Sequence, residues 1–498
     1  MIRSINQNMD KKQIVSRFAP SPTGYMHIGN LRTALYAYLV AKSKGGKFLL
    51  RIEDTDQNRY VNGAEQVIFD TLRMAGLDYD EGPDRDGGHG PYRQSERKAI
   101  YLEYADKLIR EGKAYYCFCE KKEPHADLAG ENSEIPEVQE ADPCRDLTED
   151  EVKARLANGA SYVIRHKTNK DGVTTYFDHV FGEISVENKM LHDIILIKSD
   201  GMPTYNFAHV IDDHLMGVTH VLRGNEYIVS TPQYVQLHND LGFELPEYYH
   251  LPLIMGKDAD GNVSKLSKRH GSVSFADLVA QGYLPEAIIN YVALLGWHPA
   301  NSDEELFTLD ELKAVFNPDD IRKSSAIFDY DKLKWMNSQY ILKMTPSEFS
   351  DYAMPYINNT LTHDVYDVEK LCEILQPRIQ IFSEIGEKIE FFQSLGDFDL
   401  NLLFNDKKKT NPENAKDILA RVIEKLQAVE LSDWHNDNLF QQLEQISTEA
   451  GYKPISIMWV IRVALSGRTV TVGGATEIMQ ILGKSETLIR LQTVLNKL

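Results

Sequence analysis

The chain has 498 residues, of which 42% are hydrophobic and 26% charged, which suits about three or more globular domains and excludes a fibre or a low-complexity tail. Its net charge of −20 argues against nonspecific nucleic-acid binding, which needs clustered Lys and Arg, and no apolar stretch approaches the roughly 18 to 20 residues that span a bilayer. Four cysteines in so long a chain make no disulfide framework, and the polar N-terminal residues are unlike a secretory signal, so the expected compartment is the cytoplasm.

Along the chain, Ile14, Val15 and Phe18 mark a short strand, and Leu31, Ala34, Leu35, Tyr38 and Leu39 recur at the spacing of one buried helix face. Between them runs Arg17-Phe-Ala19-Pro20-Ser21-Pro-Thr23-Gly24-Tyr-Met-His27-Ile-Gly29-Asn30. His27 and Gly29 therefore sit at a strand-to-helix turn. There the free amides and positive end of the helix favour phosphate, Gly29 lets a ligand approach the backbone, and His27 can donate a hydrogen bond. Gly45-Gly46 ends the helix and Lys47 to Ile52 reads as a second strand, completing a βαβ unit.

After about Leu102 the pattern is mixed. It contains Tyr115-Tyr-Cys117-Phe-Cys119, a polar acidic stretch from Ala129 to Asp142, and strand-like runs at Tyr162 to His166, Thr174 to Phe177 and Ile194 to Ile197. This predicts an insertion that splits the nucleotide fold. The fold resumes near Asp200, with Val218 to Leu222 as a buried strand, and continues to Lys265-Leu-Ser-Lys268-Arg269. Gly256, Gly261, Ser264, Ser267 and Gly271 suit a loop that closes, bringing Lys265 and Lys268 to the same triphosphate as His27. From about Phe275 helical spacing dominates, as in Ala287 to Leu295, Ala415 to Leu426 and Leu488 to Leu495. The acidic surplus is uneven: Glu120 to Arg155 holds twelve acidic and five basic residues, so a surface elsewhere can be locally positive.

The segments Arg17 to Gly24, His27 to Gly29, Arg51-Ile-Glu53-Asp54-Thr-Asp56, Gly90 to Arg97 and Lys265 to Arg269 stand in an order that resembles bacterial glutamyl-tRNA synthetases, of the class I aminoacyl-tRNA synthetases. Ser199 to Ala208, Asp212 to Gly224 and Tyr283 to Ala287 extend the resemblance over nearly the whole chain. The helical tail matches the bacterial glutamyl type rather than the β-barrel anticodon domains of its glutaminyl and archaeal or eukaryotic relatives. A truncated relative without the helical half, and a noncatalytic paralogue without His27 or Lys268, do not match.

The resemblance implies an α/β plus all-α architecture. A split Rossmann-type nucleotide-binding domain would occupy 14–102 and 199–258, an α+β acceptor-stem-binding insertion 103–198, a stem-contact region with the lysine loop 259–335, and a helical anticodon-binding region 336–498. It implies a monomeric enzyme that uses ATP with Mg²⁺ to form glutamyl-adenylate and passes the glutamate to tRNA(Glu), with tRNA(Gln) left open, and that activates glutamate efficiently once tRNA is bound. Glutamate's α-carboxylate is already ionised at neutral pH, so its attack on the α-phosphate needs positioning and charge neutralisation, not a general base.

Carried over residue by residue, ATP binding falls to Pro20, Thr23, Gly24, His27, Gly29, Asn30 and Lys268, and catalysis to His27, Gly29, Lys265 and Lys268. Glutamate binding falls to Arg17, Ala19, Ser21, Glu53, Tyr205, His209 and Arg223. Glutamate presents two carboxylates and one ammonium, a count that Arg17, Arg223 and Glu53 meet; arginine's planar fork suits carboxylate, and the Tyr205 hydroxyl can add a donor. Asn30 departs from the second histidine of the class signature, and Asn225-Glu226-Tyr227 from a common Glu-Glu-His. Cys117, Cys119 and Cys144 resemble the Zn²⁺ site of some bacterial members, with Asp146 at the usual fourth position and His125 as an alternative ligand; the other reading is reduced, partly buried cysteines. Cys372 reads as core. Arg378, after Pro377, aligns with an arginine that favours the cytosine at the third anticodon base, the alternative being a surface arginine on a helix.

Overall fold

Strand β1 (Val15–Phe18), helix α1 (Ile28–Lys42) and strand β2 (Lys47–Leu50) form the βαβ unit, with β1 and β2 parallel from Val15–Lys47 to Phe18–Leu50. The helix departs from the expected single buried face: Ile28, Leu31, Arg32 and the whole run Ala34–Ala41 are buried. A helix apolar on nearly every side needs cover on both sides. The sheet covers one. On the other, Tyr36 donates to the carbonyls of Ala293 and Leu295, both at 3.0 Å, and stacks at a tilt on Phe316.

The computed structural model describes residues 13–119, 142–258, 260–267, 270–271, 274–300, 302–362 and 367–498. It divides into two units, one running to Leu278 and including Ile288–Asp329, the other comprising Val279–Ala287 and Tyr330–Leu498. In the first, α2 (Ala64–Met74) and α3 (Lys98–Arg110) lead to β3 (Ala114–Cys117), α4 (Glu149–Ala157), β4 (Val163–His166), the hairpin β5 (Val173–Asp178) and β6 (Gly182–Glu187), and β7 (Ile195–Ile197). Then come α5 (Tyr205–Leu215), β8 (His220–Gly224), α6 (Thr231–Leu241), β9 (Glu247–Leu251), the hairpin β10 (Ile254–Lys257) and β11 (Val263–Lys265), α9 (Leu309–Val315) and β12 (Ala326–Ile327), while α7 (Phe275–Ala280) and α8 (Pro285–Ala293) each have residues in both units.

The main sheet has the order β2-β1-β8-β9-β5-β6, with β2, β1, β8, β9 and β5 parallel and β6 antiparallel at the edge. The chain leaves β1 toward β2 on one side and β8 toward β9 on the other. That reversal makes a crevice at the carboxyl ends of β1 and β8, where such sheets bind ligands. The remaining strands form two small sheets, β3-β4-β7 and β11-β10-β12. The hairpin β5–β6 lies within the predicted insertion yet continues the main sheet, pairing Asp178 of β5 with Tyr248 of β9.

The second unit is helical, as its sequence spacing predicts: α10 (Tyr330–Lys343), α11 (Pro346–Thr360), α12 (Val368–Leu375), α13 (Glu384–Gln393), α14 (Pro412–Gln427), α15 (Asn436–Ala450), α16 (Pro454–Ser466) and α17 (Ala475–Lys497). Ala415, Ile418, Leu419, Val422, Ile423 and Leu426 give α14 one apolar stripe, which is buried in a core that also takes Cys372. Among the described residues no helix is long and apolar enough to cross a membrane.

Candidate active site

His27 is the N-cap of α1, and its Nδ1 accepts the Gly29 N–H at 3.2 Å. That bond uses the Nδ1 lone pair, so the neutral ring carries its proton on Nε2 and can donate it to a ligand. Burial, aided by the positive charge of Lys265, holds the imidazole below its usual pKa. The ring is therefore a neutral donor at neutral pH. A Cβ on Gly29 would meet only His27 Nδ1, at 3.7 Å, so the bare backbone there serves an approaching ligand better than it serves the fold. Pro20, Thr23, Gly24 and Asn30 lie on the same turn, Pro20 buried and accepting the Glu53 N–H at 2.9 Å, Thr23 and Asn30 exposed. Ala19 is half-buried and Ser21 exposed beside them.

Lys265 ends β11, and the chain returns from the lysine loop to form a bridge between Ser274 and His27. The loop thus begins and ends near the His27 turn. Lys268 itself lies outside the described residues. Sequence reasoning missed His270: its Nδ1 accepts the Ser267 N–H at 3.1 Å, its Nε2 meets Ser264 Oγ at 3.1 Å, and a Cβ on Gly256 would come within 2.6 Å of its ring. Gly256 therefore makes room for an imidazole that anchors the loop.

Beneath the crevice is a buried charge network. Arg17 Nε donates to Asp213 Oδ1 at 3.0 Å, and Arg51 donates to Asp213 Oδ1 at 2.7 Å and Glu53 Oε1 at 2.9 Å. Asp212 takes Arg97 Nε at 2.7 Å, the Tyr101 hydroxyl at 2.8 Å and Gln94 Nε2 at 2.9 Å. Burial pushes the Asp213 carboxyl up, but Arg17 and Arg51 outweigh it and leave it well below the usual range; at Glu53 burial wins over Arg51 and Arg17, and the pKa is raised. Glu53 is thus a buried carboxyl whose charge a ligand ammonium would stabilise. Asp212 and Asp213 carried no assignment from sequence. Their adjacent acidic pair on a helix that buries Phe207 to Asp213 without a break was the available signal, since buried acids are paired.

On the β8 side, Arg223 is buried, with Nη2 donating to Thr231 Oγ1 at 2.7 Å and Nε to His250 Nε2 at 3.1 Å. The rings of Tyr227, Tyr234 and Tyr248 surround it with centroids 5.0 to 5.4 Å from Cζ. Its Nη1 is buried and has no hydrogen-bond partner among the described residues. Tyr205 begins α5 and stacks on His209 at 4.8 Å, while His209 Nδ1 donates to the Tyr205 carbonyl at 2.9 Å. Burial, then Tyr227 and Glu53, raise the Tyr205 pKa, so the hydroxyl stays a donor; burial and then Arg223 depress His209, which stays neutral. The Tyr205 and Tyr227 rings lie 5.4 Å apart and Arg223 Cζ sits 5.1 Å from the Tyr227 ring, so these three form one cluster, and Glu53 acts electrostatically on both tyrosines.

The cysteine cluster forms, with one correction. Asp146 is not in it: its side chain is 85% exposed and pairs with Lys167 at 3.7 Å. Asp142 takes that place, and the ligand atoms of Cys117, Cys119, Asp142 and Cys144 all lie within 4.8 Å of one another. The cause is local. The turn Asp142–Arg145 folds the Asp142 carboxylate back to accept the Cys144 N–H at 2.9 Å, whereas Asp146 lies past the turn. An aspartate two residues before the backbone N–H it bonds is a common turn former, and that was the signal missed. Cys119 and Cys144 Sγ are 3.6 Å apart, close to the ~3.8 Å edge of a tetrahedron with zinc–sulfur bonds of about 2.3 Å. His125 lies outside the described residues. In the helical unit, Arg378 is exposed at the end of a short turn after α12 and donates to the Ile374 carbonyl at 2.9 Å, capping that helix.

Comparison with known proteins agrees with this geometry. Residues 13–335 match the model of the tRNA synthetases class I (E and Q) catalytic domain, and 348–495 match an anticodon binding domain. The chain is 50% identical to a glutamate–tRNA ligase of Clostridium novyi (strain NT), covering 98% of this chain and 99% of the relative, and 48% identical to that of Clostridium acetobutylicum, covering 98% and 100%. Among solved structures, a glutamate tRNA ligase from Elizabethkingia meningosepticum in complex with its amino acid superposes with a TM-score of 0.86 at 33% identity, over 98% of this chain and 100% of that one. The glutamate-tRNA synthetase of Elizabethkingia anophelis gives 0.84 at 31%, over 97% and 100%. With these matches along its length, the chain belongs to the class I tRNA synthetases of the glutamyl and glutaminyl group.

Proposed function

We propose that the chain is a glutamate–tRNA ligase that forms glutamyl-adenylate from L-glutamate and ATP, releasing pyrophosphate, and then transfers the glutamyl group to the 3′-terminal adenosine of tRNA(Glu) with release of AMP. The observation that carries the amino-acid side of this reading is the buried Nη1 of Arg223, which has no hydrogen-bond partner among the described residues. A guanidinium and a phenol suit the side-chain carboxylate, Glu53 suits the ammonium, and Arg17 suits the second carboxylate. His27 and the first amides of α1 hold phosphate oxygens, and Lys265 and Lys268 meet the charge that develops on pyrophosphate. Mg²⁺ bound to the triphosphate would supply further neutralisation. In domain terms, 14–102 and 199–258 form the nucleotide-binding catalytic domain, 103–198 takes the acceptor stem, 259–335 supplies the stem contact and the lysine loop, and 336–498 reads the anticodon, with the enzyme acting as a cytoplasmic monomer.

The test is a charging assay with purified tRNA(Glu) and tRNA(Gln). Charging of tRNA(Glu) with glutamate, and no charging with glutamine, is expected; failure to acylate either tRNA would end the reading. If Arg378 reads the last anticodon base, tRNA(Glu) is preferred, and Arg378→Gln narrows the preference by about 1–3 kcal/mol, the scale of one good base contact. Equal charging by the unaltered enzyme would make it non-discriminating and remove Arg378 from specificity.

Cys117, Cys119, Cys144 and Asp142 would hold one structural Zn²⁺, tying β3 to the Asp142–Arg145 turn. Elemental analysis of protein purified without added metal should find about one zinc per chain. Asp142→Ala should lose it and Asp146→Ala should keep it; a zinc-free, stable, active enzyme would leave the cysteines as reduced thiols.

A further inference from the structure

Arg223 is gripped from outside its own strand, and the grip leaves one end of the guanidinium unused. We infer that Asp178 and His250 are positioning residues of the amino-acid pocket, fixing the Arg223 fork so that Nη1 faces a ligand carboxylate. This rests on the pocket proposed above.

Asp178 closes β5, and both its oxygens are engaged. Oδ1 accepts the N–H groups of Val180 at 3.0 Å and Phe181 at 2.7 Å; Oδ2 accepts the His250 N–H at 3.0 Å and lies 2.7 Å from His250 Nδ1. Arg223 Nε–H can only donate, so the His250 Nε2 it reaches presents its lone pair and the neutral ring carries its proton on Nδ1, toward Asp178 Oδ2. Burial keeps the ring neutral, with its pKa pushed down to about 4. That lone pair receives Arg223 Nε–H at 3.1 Å. Thr231 completes the clamp: its hydroxyl proton goes to the Tyr227 carbonyl at 2.7 Å, leaving Oγ1 to accept from Arg223 Nη2. The three tyrosine rings wall the guanidinium.

Arg17, Arg51 and Arg97 each touch a carboxylate. Arg223 pairs with none among the described residues; its direct acceptors are an imidazole and a hydroxyl. A buried cation held by neutral groups, with an orphan donor, is set to receive an anion. The opposite His250 tautomer would put N–H against N–H and turn the fork away. Asp178 therefore determines, through one ring, where Nη1 points.

The test uses the full chain and measures tRNA-dependent pyrophosphate exchange while glutamate and ATP are varied separately. Asp178→Asn, with its oxygen kept on Val180 and Phe181, turns an amide NH₂ toward His250, which gives up the bond from the His250 N–H and reverses the ring tautomer. The glutamate KM should rise about 10-fold or more while the ATP KM and kcat stay within about threefold. His250→Gln, which can donate to Asp178 and accept from Arg223, should keep most of the glutamate affinity, and His250→Leu should lose it. Ring ¹⁵N shifts should show His250 protonated on Nδ1 in the unaltered protein and on Nε2 in Asp178→Asn. A folded Asp178→Asn with an unchanged glutamate KM, a parallel rise in both KM values, or equal behaviour of the two His250 variants would each overturn the relay. If Asp178→Asn does not fold, the His250 pair decides. Arg223→Lys separates the two readings: an unchanged glutamate KM there would remove the pocket itself, whereas a raised one beside a silent Asp178→Asn removes only the relay.

Discussion

Arg51→Met will destabilise the first unit by about 3–5 kcal/mol, the cost of breaking a buried ion-pair network from one side. The Arg51 side chain is 0% exposed and bonds Asp213 and Glu53, so methionine fills the space but leaves two buried carboxyls with less positive charge. The deficit should depend on pH. Asp213, with its pKa held low, contributes stability that is present above the ordinary carboxylate range and lost as pH falls. Glu53, with its pKa raised, works with the opposite sign, its ionisation costing stability as pH rises through its folded value. Removing Arg51 pushes both carboxyls up, so the gap between variant and parent should widen from about pH 5 to pH 8, where both must ionise. Urea unfolding across that range is the measurement; a gap below about 1 kcal/mol at every pH would show that Arg51 is replaceable.

Lys268→Ala should slow adenylate formation by about 100-fold or more, the scale of one lost transition-state charge contact, and change tRNA affinity little. Pyrophosphate takes on charge as the α-phosphate bond breaks, and the loop that carries Lys268 starts at Lys265 and returns to His27 through Ser274. Among the described residues of that segment, His270 packs against Gly256 and bonds Ser264 and Ser267. Unchanged pyrophosphate exchange in the presence of tRNA would take Lys268 out of the chemistry.

The parts of this molecule that were legible in the sequence are those that short segments specify alone. Val15 to Phe18, the turn to His27 and the stripe on α14 follow from period and capping, and the structure has them as read. The unread parts are pairings between distant segments. Nothing near Arg17 announces Asp213, whose partner lies 196 residues away, and Asp178 meets His250 only because a hairpin inside the inserted segment adds to the main sheet. Near Cys144 the error was different: a family spacing pointed to Asp146, while the turn Asp142–Arg145 brings Asp142 to the cysteines instead.

That hairpin also bears on how the chain could be re-engineered. β5 pairs with β9 on one side and β6 on the other, so excising the inserted segment to make a minimal catalytic core would strip β9 of its neighbour and expose an unpaired strand edge, a template for aggregation. It would also remove Asp178. A shortened enzyme should therefore keep 173–187, grafted as a hairpin, even if everything else between the two halves of the nucleotide fold is replaced by a linker.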